Sequence, residues 1–166
     1  MFEKDKLFSY CIYTMKKSDD LEYCYRNGRT GTFSENKSWK TGIRLLAQAN
    51  KDNILMPILF SAAEEASGII YVGFLSSIEI HEGSKEGTTY SFRGMVRLSN
   101  PKPLSSLILR DSRKPLSNNY IRPYAVCVTP DALLDWIYEC GRPPLNKARK
   151  DGSESFNNGV CQDSCR

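Results

Sequence analysis

The sequence predicts an α+β fold, a small and strongly bent antiparallel sheet with helices packed outside it. Three observations lead there. Residues 54–80 hold two apolar runs, ILMPILFSAA and IIYVGFLSSIEI, joined by the short acidic turn EEASG. Residues 88–98 (TTYSFRGMVRL) alternate along their length, and two other segments carry apolar residues at helical spacing. Short runs rich in Ile, Val, Phe and Tyr are strands rather than membrane helices, so 54–80 reads as a hairpin.

In chain order, residues 7–15 (LFSYCIYTM) form a predicted first strand, ended by a polar turn over 16–20. Residues 21–25 are a short aromatic segment whose type the pattern leaves open, closed by the turn signal Asn27-Gly28. The stretch 29–33 (RTGTF) reads as loop or edge strand. Residues 34–49 are predicted helical, with Ser34 or Ser38 as N-cap and a stripe of Trp39, Ile43, Leu46 and Ala49 that Leu45 widens. Gly42 weakens the middle of this helix by about 1 kcal/mol relative to Ala. Pro57 removes a ladder donor, which argues for an edge position or a bulge in the first hairpin strand.

In 88–98, Tyr90, Phe92, Val96 and Leu98 are expected on one face, and Ser91, Arg93, Met95 and Arg97 on the other. After Pro101 and Pro103, residues 104–119 are mixed, with a short helix or strand at 107–109. Residues 120–128 (YIRPYAVCV) end as a strand. Thr129-Pro130-Asp131 then starts a helix with a capping Thr, Pro at its first position and an acid near the positive end of the dipole. It runs to about Cys140 and stops at Gly141. Residues 1–141 thus read as one globular domain, and 142–166, dominated by Pro, Gly, Ser and Asn, as a polar, disordered tail.

Composition narrows the function classes. A chain of 166 residues can bury a core without metal or disulfide support. No run approaches the roughly 18–20 apolar residues of a membrane span, so no membrane partner is expected. The first residues, MFEKDK, mix acids and bases and make a poor export leader, so the expected location is cytoplasmic. The net charge of +4 permits an anionic partner without demanding one. Six cysteines include no Cys-x-x-Cys, and the one close pair, Cys161 and Cys165, sits in the tail. No metal or cofactor is expected, and reduced thiols with Cys11 and Cys127 buried in strands are the plainer reading.

No nucleotide-binding or hydrolase motif is present. The single histidine, His81, reads as an exposed loop residue, and Glu64-Glu65 as a solvated turn, because adjacent carboxylates in a turn point apart. No catalytic residue is assigned. Nucleic-acid signals are stronger. Arg29, Lys37 and Lys40 flank Phe33 and Trp39. Arg93 and Arg97 share a strand face, and Arg110, Arg113, Lys114 and Arg122 accompany Tyr120 and Tyr124. Cations meet phosphates while aromatic faces stack on unpaired bases. The competing reading makes Trp39 the core anchor of its helix and the charges a solvated surface.

The order of elements, together with Ile58-Leu59-Phe60-Ser61 and Ser67-Gly68-Ile69-Ile70-Tyr71-Val72-Gly73, resembles the PUA-like superfamily of small β-barrels, which includes the EVE, YTH and ASCH domains. The YTH aromatic cage and the cleft residues of ASCH domains do not align position by position. The resemblance implies a pocket for RNA or a modified base at one face of a PUA-like β-barrel with flanking helices. Combined with the residue reading, it nominates Arg29, Thr30, Trp39, Ser61, Tyr71, Arg93, Tyr120, Arg122 and Tyr124 as nucleic-acid-binding, the partner being RNA or modified DNA. The alternatives are a hydrolase of nucleotides or nucleic acid, and a protein-interaction or sensor module of a bacterial defence or regulatory system.

Overall fold

The computed structural model describes residues 7–64, 68–82, 87–117 and 124–141. The predicted tail lies outside them. Among the described residues there are seven strands: β1 Tyr10–Lys16, β2 Gly31–Glu35, β3 Pro57–Ala62, β4 Gly68–His81, β5 Gly87–Pro103, β6 Ile108–Leu109 and β7 Ala125–Val128. Three helices accompany them: α1 Ser18–Arg26, α2 Lys40–Lys51 and α3 Leu133–Gly141. The fold is α+β, with one sheet in the order β2-β5-β4-β3-β1-β7-β6. Every pairing is antiparallel except that of β1 with β3.

Alternation along the strands sends apolar side chains to both faces, and helices cover each. On one face Ile12, Ile58, Phe60, Tyr71, Leu75, Tyr90 and Phe92 pack with Leu21 and Cys24 of α1 and Leu45, Leu46 and Ala49 of α2. On the other, Cys11, Tyr13, Leu59, Val72, Phe74 and Cys127 pack with Leu133, Trp136 and Ile137 of α3 and with Leu104, Leu107 and Leu116. No helix among the described residues is long and apolar enough to cross a membrane.

Several expectations are corrected. The turn expected over 16–20 gives way to α1 from Ser18. Asp19 and Asp20 lie in its first turn and Arg26 in its last, as the dipole favours. Leu21 and Cys24 share its buried side, and the Glu64 carboxylate across the sheet accepts the Ser18 N–H at 3.0 Å. That bond holds the Glu64 carboxyl below its ordinary value.

Ser34 belongs to β2, opposite Thr89, so the helix expected from there begins only at Lys40. Its N-terminus is capped from the sheet. The Trp39 N–H donates to the Thr88 hydroxyl at 2.9 Å, and that hydroxyl donates to the Lys37 carbonyl at 2.6 Å. Pro57 does not mark an edge, because β3 lies between β4 and β1. It is tolerated as the first residue of the strand, where a missing donor costs no interior ladder bond.

The alternation predicted for 88–98 breaks at Gly94. Val72 faces Val96 and Phe74 faces Arg93, so one residue of β4 stands opposite two of β5. Gly94 supports this bulge with φ +63°. Met95 therefore joins Tyr90 and Phe92, while Val96 and Leu98 turn to the α3 face. Two more elements depart from expectation. The Thr129 hydroxyl donates to the Phe8 carbonyl at 2.8 Å and is not a helix cap. His81 ends β4, with Nε2 2.8 Å from the Thr89 hydroxyl.

Candidate functional site

The sheet curls strongly at the end that carries β2. Four steps separate β2 from β1, which in a flat sheet would hold them roughly 19 Å apart at about 4.8 Å per step. Yet the Lys16 ammonium of β1 makes an ion pair with the Glu35 carboxylate of β2 and reaches the Ser34 carbonyl at 3.5 Å. It also lies 4.9 Å from the centre of the Phe33 ring. Beneath this clasp the rings form a column. Trp39 stacks on Tyr90 at 4.3 Å and 21°, and on Tyr124 at 4.6 Å and 16°. Trp39 is wholly buried and Tyr124 half-buried. The indole Nε1 has no hydrogen-bond partner among the described residues. Burial first, and then the Glu35 carboxylate, push the Tyr90 phenol well above its ordinary value.

A second aromatic group lies where α1 ends. Arg29 caps the face of Tyr25 at 4.8 Å, Tyr25 lies 5.7 Å from Tyr71, and Arg97 stands 5.9 Å from the Tyr71 ring. Two neighbouring rings are thus flanked by a cation at each end, Arg29–Tyr25–Tyr71–Arg97. Arg29 is held in the left-handed region at φ 60° by two backbone bonds. Its N–H donates to the Cys24 carbonyl at 3.0 Å, and its carbonyl accepts the Met95 N–H at 3.0 Å. A non-glycine residue there is strained, and such strain gathers at functional positions. Arg29 and Arg97 are exposed, as is Arg93 beside the bulge. None of the three has a carboxylate partner among the described residues. A guanidinium lying on a ring keeps its N–H edge free for phosphate or carboxylate oxygens.

Four of the nine residues nominated from sequence fall into these two groups. Trp39 and Tyr124 meet in the column. Arg29 and Tyr71 meet through Tyr25, which the sequence did not single out. Thr30 uses its hydroxyl on the Phe92 carbonyl at 2.7 Å. Ser61 is fully buried with an unpartnered Oγ, on a strand position opposite in sense to Phe60. Arg93 is exposed at the bulge, and Tyr120 and Arg122 lie outside the described residues. Lys16 and Glu35 were missed because nothing local in sequence relates β1 to β2, and Tyr90 was read as a strand-face residue without its stack on Trp39. Arg97 was readable as a strand-face cation, but its ring partner was not.

Among the described residues no group of three or more His, Cys, Asp or Glu side chains could hold a metal ion. No disulfide joins the four described cysteines to one another, and burial raises the thiols of Cys11, Cys24, Cys127 and Cys140. What the arrangement offers chemically is charge and stacking on an open surface beside a closed aromatic interior. No protein-family model matches the chain, and no curated protein is detectably similar to it in sequence.

Proposed function

We propose that this is a nucleic-acid-binding domain of the PUA-like kind, its curled sheet an incompletely closed barrel. Single-stranded RNA or DNA binds across the Arg29–Tyr25–Tyr71–Arg97 surface. The observation that carries the reading is the set of exposed guanidiniums, two of them lying on tyrosine faces, without carboxylate partners among the described residues. Such groups suit phosphate oxygens, and a guanidinium plane already stacked on a ring offers its outer face to an unpaired base. A polyanion also matches the net charge of +4.

Fluorescence anisotropy with labelled single-stranded RNA and DNA, each with and without a methylated base, tests the reading. Binding at low salt that weakens steeply as salt rises is the expected result. Absence of binding to every oligonucleotide at low salt overturns it.

A further inference from the structure

Cys11 and Cys127 are opposite one another in the antiparallel pair β1·β7, and both are completely buried. The Thr129 N–H donates to the Ser9 carbonyl at 2.9 Å. Bonded and non-bonded pairs alternate along such a ladder, so that bond makes Cys11 and Cys127 a hydrogen-bonded pair, with Cα atoms about 5.5 Å apart. A disulfide spans roughly 4.4–6.8 Å between Cα atoms, but the side chains of a hydrogen-bonded pair stand farther apart than the roughly 3.5–4.5 Å between Cβ atoms that it prefers, so the bond is strained and readily reduced. Side chains directly opposite in a ladder project to the same face, and both cysteines belong to the core beneath α3. The charge of one thiolate is felt at the other, which keeps the Cys11 thiol protonated beyond what burial alone does.

We infer that Cys11 and Cys127 form a reversible cross-strand disulfide under a mild two-electron oxidant, which pins β7 to β1. With an azo oxidant such as diamide, two S–H bonds break and one S–S bond forms. The two electrons and two protons pass to the N=N bond, giving the hydrazine. Both sulfurs are closed from solvent and Leu109 of β6 lies opposite Cys127, so the oxidant reaches them when β6 and β7 open at the edge of the sheet. Burial keeps both thiols protonated at neutral pH, so the reaction is slow there and accelerates with rising pH, as attack by thiolate requires. Ala125 follows Tyr124 in the chain, so the bond also restrains the ring that covers Trp39.

The test uses the full chain. Native protein is treated with diamide, remaining thiols are alkylated, and the protein is then denatured, alkylated again with a second reagent, and digested for mass spectrometry. The expected product is a peptide pair joining Cys11 to Cys127, about 2 Da lighter than the sum of the reduced peptides and released by dithiothreitol. Cys127→Ala should abolish it and leave Cys11 open to the second reagent. Cys24→Ala serves as a variant in which the product must persist. Recovery of Cys11 and Cys127 as free thiols from oxidised wild-type protein, or their linkage only to other cysteines, overturns the inference. Neither result bears on oligonucleotide binding.

Discussion

Lys16 and Glu35 form an ion pair although their strands lie four places apart in the sheet and share no ladder bond among the described residues. Their side chains are 16% and 15% exposed, so water screens the pair only in part. Lys16→Met or Glu35→Gln strands the other charge in that setting and is expected to lower stability by about 1–2 kcal/mol, between the surface and buried cases. The double variant should lose less than the two singles together. Urea denaturation of all four proteins measures the coupling, and a value below about 0.3 kcal/mol would mean that the pair does not hold the curl.

Thr88 caps α2 from across the sheet, and it does so from a buried position. Thr88→Val keeps the shape but leaves the Trp39 N–H and the Lys37 carbonyl without that hydroxyl, an expected loss of about 1–3 kcal/mol. Thr88→Ser restores the hydroxyl and should recover most of it. A loss in Thr88→Ser with none in Thr88→Val would instead assign the effect to the methyl group.

Alkaline pH should unfold the protein through its buried acids. Burial pushes the Cys127 thiol from 9.0 to about 12, and raises Cys11 and Tyr90 as well. These groups keep their protons in the folded state after the unfolded chain has lost its own. The contribution of the two thiols is full below about pH 9 and that of Tyr90 below about pH 10, and each falls as pH rises beyond its onset, by about 1.4 kcal/mol per pH unit while the folded group keeps its proton. Cys127→Ala should flatten the decline by one group's share. Denaturant midpoints between pH 8 and 11 supply the comparison, and a wild-type curve level across that range would contradict it.

Arg29 and Arg97 should govern oligonucleotide binding while contributing little to the fold. Arg29→Ala and Arg97→Ala are each expected to weaken binding several-fold at low salt. Each should also reduce the slope of log K against log salt by about 0.7, the single-strand value per phosphate contact. Arg29→Gly separates the two roles. Glycine relieves the strain at φ 60°, so stability should hold or rise by up to about 1 kcal/mol while binding falls. Unchanged affinity in all three variants would remove this surface from the proposed interface.

The hairpin formed by β3 and β4, the strand β7 and the body of the late helix were legible from local periodicity, but the start of that helix was not, since Thr129 bonds back to Phe8 and α3 begins at Leu133. The start of α2 was not, because its cap comes from Thr88 on β5 and Ser34 is taken by the ladder to Thr89. The phase of β5 was not, because a single glycine in the left-handed region resets it and alternation alone does not show where. The site followed the same rule. Cations and rings could be nominated one at a time, but Tyr25 is needed to join Arg29 to Tyr71, and α1 that presents it had no clear signature. Trp39, readable either as core or as contact, is wholly buried.

The place of β1 has a kinetic consequence. This strand precedes the other six in the chain, yet its neighbours are β3, in parallel, and β7, the last of them. No partner is available to it by a short turn. Contacts of such long sequence separation form late and slow the search, placing a sheet of this kind in the range of milliseconds to seconds rather than microseconds. Until β7 arrives, β1 is an open edge carrying Cys11, Ile12 and Tyr13, able to pair with another unfinished copy. The yield of refolding should therefore fall as protein concentration rises, even where the finished molecule is stable.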